Sequence, residues 1–232
     1  MSIIAIITAR GGSKRIPKKN IKEFMGRPML AYAVEAAKSA GIFDEIMVST
    51  DDEEIAETAR RYGASVPFMR SERTSSDYAI TYDVLEEVLG EYRKLGREFD
   101  YLCCIYPCVP FLKAVSLRDA YGLMKSKGAD AIMPVCRYPA PVEWAMRMNG
   151  GVLVADDVEK QKIRSQDLQP AWFDAGMFYF YRTETFLKER TTLFPNTLGY
   201  AIDESECQDI DTPEDWKMAE MKYRILHPET HA

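Results

Sequence analysis

Histidine is almost absent from this sequence: among 232 residues only His227 and His231, both near the C-terminus, carry an imidazole. That scarcity argues against Ser-His and Cys-His catalysis, in which an imidazole base stands beside the nucleophile. No CxxC pair occurs either, so a Cys/His zinc site is not expected. The cysteines Cys103, Cys104, Cys108, Cys136 and Cys207 are odd in number, and the first two are adjacent in a segment patterned as a buried strand. They do not form a disulfide framework on this reading. Long apolar runs are missing too, since none approaches the roughly 20 residues of a membrane span. The start, Met1 to Ile7, lacks the basic stretch of a secretion signal. A reduced, cytoplasmic setting with no membrane partner is expected. Basic residues are in deficit, 30 against 36 acidic for a net charge of -6, which speaks against nucleic acid as a partner because phosphate neutralisation needs a positive surface.

What is present is an ordinary globular composition and a clear alternation of elements. Ile3 to Thr8 is a short continuous apolar run, rich in β-branched residues, of the kind that forms a parallel strand covered on both faces. Pro28 opens a helix that Gly41 ends, and Glu45 to Thr50 is a second strand. Asp51 to Glu54 supplies a capping box for a helix that runs to Tyr62. Val66 to Met69 is expected as a short third strand, followed by a helix over 80–95 and a strand over 101–106. A helix over 116–127 and a strand over 131–135 complete the repeating pattern. Strands and helices alternating at these lengths imply right-handed crossovers and a mostly parallel sheet. After Tyr138 the texture changes: Pro139, Pro141 and Asn149-Gly150-Gly151 mark hairpins and loops. A strand over 176–181, a helix near 184–189 and a closing helix capped by Thr212 follow. The expectation is one α/β domain over 1–232 with a lobe inserted at about 139–170.

The informative segment is Ala9-Arg10-Gly11-Gly12-Ser13-Lys14-Arg15-Ile16-Pro17-Lys18-Lys19-Asn20. It follows the first strand, and ligands of open parallel sheets bind beyond the carboxyl ends of strands. Paired glycines let backbone N–H groups approach phosphate oxygens, and five cations supply charge for a polyphosphate. Neither a Walker loop nor the GxGxxG of dinucleotide folds is present. By composition alone a solvated charge run fits equally well. Late in the chain Asp209 and Asp211, two apart in an extended stretch, can face one cation from the same side, or can be loop residues leading into the Thr212 cap.

The stretch Ala9 to Asn20 resembles the N-terminal motif of the CMP-sialic acid synthetases, or acylneuraminate cytidylyltransferases. The resemblance extends through Val48-Ser49-Thr50-Asp51-Asp52, Pro67-Phe68-Met69-Arg70, Thr74-Ser75-Ser76-Asp77, Tyr106-Pro107 to Pro110-Phe111, and Gln208-Asp209-Ile210-Asp211-Thr212. Arg164-Ser165-Gln166-Asp167-Leu168 and Asp174-Ala175-Gly176-Met177-Phe178-Tyr179 are most similar to the branch acting on pseudaminic acid. Sialic acid enzymes usually carry Gln where Tyr106 stands, and Asn-Gly near Asp174 to Gly176.

The resemblance implies a Rossmann-like three-layer sandwich of the nucleotide-diphospho-sugar transferase type. It implies transfer of CMP from CTP to the anomeric hydroxyl of a nonulosonic acid, with release of pyrophosphate. Arg10 and Lys19 would hold the triphosphate, helped by the Ala9-Gly11-Gly12 backbone, and Arg10, Lys19 and Asp211 would be catalytic. Asn20, Arg70, Ser76 and Asp77 would contact the cytidine, and Tyr106, Arg164 and Gln166 the sugar. Asp209 and Asp211 would bind Mg²⁺, and the lobe would make a homodimer with composite sites. The same reaction on legionaminic acid, N-acetylneuraminic acid or an eight-carbon acid is the nearest alternative. A nucleotide-sugar glycosyltransferase is the next, although its Asp-x-Asp usually follows a mid-chain strand.

Overall fold

The computed structural model describes residues 1–228; His231 lies outside them. The apolar run Ile3–Thr8 is strand β1 at the middle of the main sheet. Its side chains alternate between two cores: Ile3, Ala5 and Ile7 pack on one side, Ile4 and Ile6 on the other. A strand covered on both faces needs apolar residues at every position, and for that reason the run is unbroken. The same logic splits Cys103 and Cys104, which are buried on opposite sides of β5 (Tyr101–Ile105).

Between these strands the chain makes the short pair β2 (Glu23–Phe24) and β3 (Arg27–Pro28), then helix α1 (Met29–Ala40). Gly41, at φ 64°, closes α1 in a left-handed conformation that favours glycine. Strand β4 (Glu45–Ser49) leads to α2 (Glu53–Tyr62), then α3 (Glu72–Ser75) and α4 (Thr81–Lys94). After β5 come α5 (Ala114–Lys127) and β6 (Ala131–Arg137). A separate hairpin, β7 (Met146–Asn149) with β8 (Val152–Ala155), precedes β9 (Trp172–Asp174) and β10 (Phe178–Arg182). The chain ends with α6 (Thr183–Glu189), β11 (Thr197–Ala201) and α7 (Pro213–Leu226).

The main sheet runs β11-β6-β10-β5-β1-β4, with β9 paired to β6. Its pairings β4-β1, β1-β5 and β6-β11 are parallel, whereas β10 is antiparallel to both β5 and β6. Helices cover both faces, so the expected mostly parallel α/β architecture is what the chain adopts. Several local expectations need correction. Residues 66–69 form no strand; only a single bridge joins Met47 to Ser65. The cap of α2 is Asp52, whose carboxylate accepts the Ile55 N–H at 3.1 Å, not a box begun by Asp51. Among the described residues no helix is long and apolar enough to cross a membrane.

Candidate active site

The loop after β1 is held in place from several sides. The Ala9 N–H donates to the Ser49 carbonyl at 3.0 Å, continuing the β1-β4 contact into the loop. The Gly11 N–H donates to Asp51 Oδ1 at 2.8 Å. A Cβ added at Gly11 would stand 2.9 Å from the Asp52 Cβ, so glycine is required by the close approach of the α2 cap. This alters the expected role: the Gly11 amide is spent on Asp51, while Gly12 has open space around it. Asn20 is braced too. It is buried, its Nδ2 donates to the Arg10 carbonyl at 2.8 Å, and its Oδ1 accepts from Cys108 Sγ at 3.3 Å. Both ends of the amide hold the loop, at the wall of the cavity that opens there.

Every cation of the loop meets a carboxylate. Arg10 Nη1 pairs with Asp77 Oδ1 at 2.9 Å and donates to the Ser76 carbonyl at 3.4 Å. Lys14 also pairs with Asp77, and Lys18 with Glu54. Lys14 and Arg10 together hold the Asp77 carboxyl below the usual carboxylate range. Arg15 Nη2 lies 2.8 Å from Asp211 Oδ2. Lys19 Nζ reaches the Ile210 carbonyl at 2.7 Å and Asp211 Oδ1 at 3.3 Å. The early cationic turn and the late acidic pair, nearly two hundred residues apart in sequence, therefore form one place. A cavity of about 410 Å³ opens there, lined by Arg10, Lys14, Arg15, Lys19 and Asp211.

The acidic pair is positioned by α7. Ile210 is buried and anchors the stretch, and the Asp211 and Thr212 N–H groups donate to Asp215 Oδ2 at 3.1 and 2.7 Å. Thr212 Oγ1 returns the contact by accepting from the Asp215 N–H at 3.2 Å, closing a reciprocal cap. Burial and the neighbouring Asp211 charge push the Asp209 carboxyl up. Two carboxylates crowded into a partly desolvated corner fit a divalent cation, with phosphate oxygens and water to complete its shell. Among the described residues no group of three or more His, Cys, Asp or Glu side chains is placed to hold a metal ion, so the chain by itself offers the pair alone.

A second cavity of about 250 Å³ adjoins the first and is lined by Arg10, Arg70, Ser76, Asp77, Thr81 and Tyr106. Arg70 is buried; Nε donates to Ser49 Oγ at 3.0 Å and Nη2 to the Ser49 carbonyl at 2.6 Å. Burial pushes its pKa down, against which the Asp51 and Glu87 charges act. The structure thus brings together Ala9, Arg10, Gly11, Gly12, Lys19, Asn20, Arg70, Ser76, Asp77, Tyr106 and Asp211. Arg164 and Gln166 stand elsewhere: Arg164 pairs with its neighbour Asp167 at 2.8 Å, and Gln166 lines a groove of about 680 Å³ between the 139–170 segment and residues 201–204. That groove shares no lining residue with the loop cavities. The sequence left Asp51 open between the site and a helix cap; the structure uses its carboxylate to accept the Gly11 N–H.

The cytidylyltransferase family matches residues 4–219. Among curated relatives, the pseudaminic acid cytidylyltransferase of Campylobacter jejuni is 36% identical over 228 residues, covering 98% of each chain. The CMP-N,N'-diacetyllegionaminic acid synthase of Legionella pneumophila is 30% identical over 224 residues, covering 95% of each. Among solved structures, a CMP:2-keto-3-deoxy-manno-octonic acid synthetase complexed with CTP superimposes with a TM-score of 0.71 at 16% identity, over 98% of this chain and 100% of that one, a likeness of fold.

Proposed function

This chain belongs to the cytidylyltransferase family, and from that premise we propose that it transfers CMP from CTP to the anomeric hydroxyl of a nonulosonic acid, pseudaminic acid foremost, releasing pyrophosphate. The observation that carries the reading is the contact of Lys19 with Ile210 and Asp211, which joins a phosphate-suited turn to Asp211 in one cavity, with Asp209 two residues before it. The whole-length likeness to the Campylobacter jejuni protein favours the sugar, and the Legionella pneumophila relative keeps legionaminic acid as the second candidate.

Arg10 and Lys19 grip the triphosphate through charge-assisted hydrogen bonds, and the open Gly12 backbone admits a phosphate oxygen close to the chain. Arg70, Ser76 and Asp77 border the cytidine. Asp209 and Asp211 would hold Mg²⁺, which would supply positive charge to the phosphate oxygens. The sugar oxygen forms its bond to the α-phosphorus as the bond to the β-phosphate oxygen breaks, and the negative charge gathers on oxygens facing Arg10 and Lys19. Asp209, Asp211 and water are the proton acceptors at hand.

The 139–170 segment is a dimerisation lobe on this reading. The pairs Met146↔Ala155 and Met148↔Leu153 put four apolar side chains on one face of the hairpin, and Met146, Met148 and Leu153 are exposed. A second copy covers that face and brings its Arg164 and Gln166 towards the sugar. The decisive assay incubates the protein and CTP with each candidate acid, with Mg²⁺ or EDTA, and measures pyrophosphate. Metal-dependent release with pseudaminic acid is expected; no release with any acid sinks the proposal.

A further inference from the structure

Ser76 and Asp77 meet Arg10 at the end of a segment that is anchored at three points. At its start the Arg70 guanidinium is tied to Ser49, and the Arg70 N–H donates to the Thr50 carbonyl at 2.8 Å. At its end the Ser76 carbonyl and the Asp77 carboxylate both accept Arg10 Nη1. Between them lies α3, only four residues long, and so short a helix does not hold its own shape in water. Ser71, which precedes it, gives it no side-chain cap. The support comes from α4 instead. Glu87 Oε1 accepts both the Ser71 N–H at 3.0 Å and Thr74 Oγ1 at 2.8 Å. Its Oε2 accepts the Ser71 hydroxyl and lies 3.9 Å from Arg73 Nη2.

The Glu87 side chain is only 12% exposed. Burial pushes its carboxyl up, but the Ser71 and Thr74 hydrogen bonds more than offset this and hold it below the usual carboxylate range. A carboxylate so placed needs its lone pairs filled, and all of these partners lie within residues 71–74. That stretch leads directly into one wall of the smaller cavity, which Thr74, Ser76, Asp77 and Thr81 line, and Arg10 lines both cavities. Glu87 lines neither, so it acts on them only through the turn.

Resting on the reading of the smaller cavity as the nucleotide site, we propose that Glu87 is a positioning residue: it fixes residues 71–77 so that Ser76 and Asp77 hold Arg10 in place before CTP arrives, and it thereby sets affinity for the nucleotide and not for the sugar acid. A site ordered in advance has less freedom to lose on binding.

The test compares Glu87→Ala and Glu87→Gln with the unsubstituted protein, by calorimetric titration with CTP and Mg²⁺ and by the steady-state KM for pseudaminic acid. Alanine releases the turn. Glutamine keeps a carbonyl oxygen for the Ser71 N–H and Thr74 Oγ1, and its NH₂ group can donate to the Ser71 hydroxyl, so the turn stays braced although the charge is gone. Glu87→Ala is expected to weaken CTP binding about tenfold while the sugar KM stays within about twofold, and Glu87→Gln to recover CTP binding to within about threefold of the unsubstituted protein. Hydrogen exchange at residues 71–77 should quicken in Glu87→Ala while β1 and β5 keep their protection. If that variant loses protection throughout, Ser71→Ala decides in its place: it removes one donor from outside both cavities and is expected to weaken CTP binding about threefold. Unchanged CTP binding in the deciding variant, an equal loss for the sugar, or no recovery with glutamine overturns the inference. Failure of the unsubstituted protein to bind CTP at all would instead overturn the proposed function, and this inference with it.

Discussion

At the scale of residues, four of the five cations of the 10–19 loop are shared between two carboxylates, while Lys18 pairs with Glu54. Asp77 takes Arg10 and Lys14, and Asp211 takes Arg15 and Lys19. Ion pairs this exposed contribute little to folding stability. On the proposed function their chemistry lies in what they offer a triphosphate, which would compete with Asp77 for Arg10. Arg10→Ala and Asp211→Ala are accordingly expected to lower kcat/KM at least about a hundredfold, while the melting temperature moves by only a few degrees. Pyrophosphate release and a thermal scan on the same samples check this, and near-normal rates in both variants would remove the assignment. These residues were singled out in the sequence because charge beside paired glycines after a strand suits a polyphosphate, although composition alone fits a solvated charge run equally well. At Asn20 and Gly11 the bracing contacts within the protein were not legible in the sequence. A side chain that braces its own loop and one that touches a ligand look identical until the Arg10 carbonyl and Asp51 carboxylate are located.

At the scale of elements, α7 matters more for its beginning than for its length. Its reciprocal Thr212–Asp215 cap also receives the Asp211 N–H, so the helix terminus and the acidic pair are one rigid piece. Thr212→Ala should cost about 1 kcal/mol of stability in urea unfolding. Asp215→Ala should additionally raise the Mg²⁺ concentration needed for half-maximal rate, since it releases the Asp211 backbone; an unchanged metal requirement would separate the cap from the site. The cap was readable in advance from Thr-Pro-Glu-Asp. Other elements were not. Strand β11 pairs with β6 only along one edge and contains Gly199, which gives no apolar run to detect. The 66–69 stretch carries strand-forming residues, yet the chain leaves β4 after one bridge, because Arg70 must turn inward to reach Ser49. The antiparallel entry of β10 between β5 and β6 depends on a long-range return that local pattern does not encode.

At the scale of the whole molecule, the exposed hairpin is the feature on which the proposed dimer rests. Met148 and Val152 are 69% and 64% exposed, on a lobe with little core of its own. Light scattering should give about twice the 26.5 kDa chain mass, and Met148→Lys combined with Leu153→Lys should give one chain mass together with a loss of sugar affinity. A monomeric unsubstituted protein with full activity would dismiss the composite site. The α/β frame was readable at this scale because each strand and helix repeats one motif, whereas the separation of Gln166 from the loop cavities required coordinates.

The lobe leaves and re-enters the sheet through a narrow clasp. Arg137 pairs with Trp172, Cys136 with Phe173 and Val135 with Asp174, and the Tyr138 N–H bonds the Ala171 carbonyl at 3.0 Å. With its two ends zipped together, whatever hangs beyond can lengthen, shorten or change sequence at small entropic cost, because closing a longer loop adds little once the ends are fixed. Such a stem lets the appendage vary in length and sequence while the sheet and the loop after β1 keep their packing.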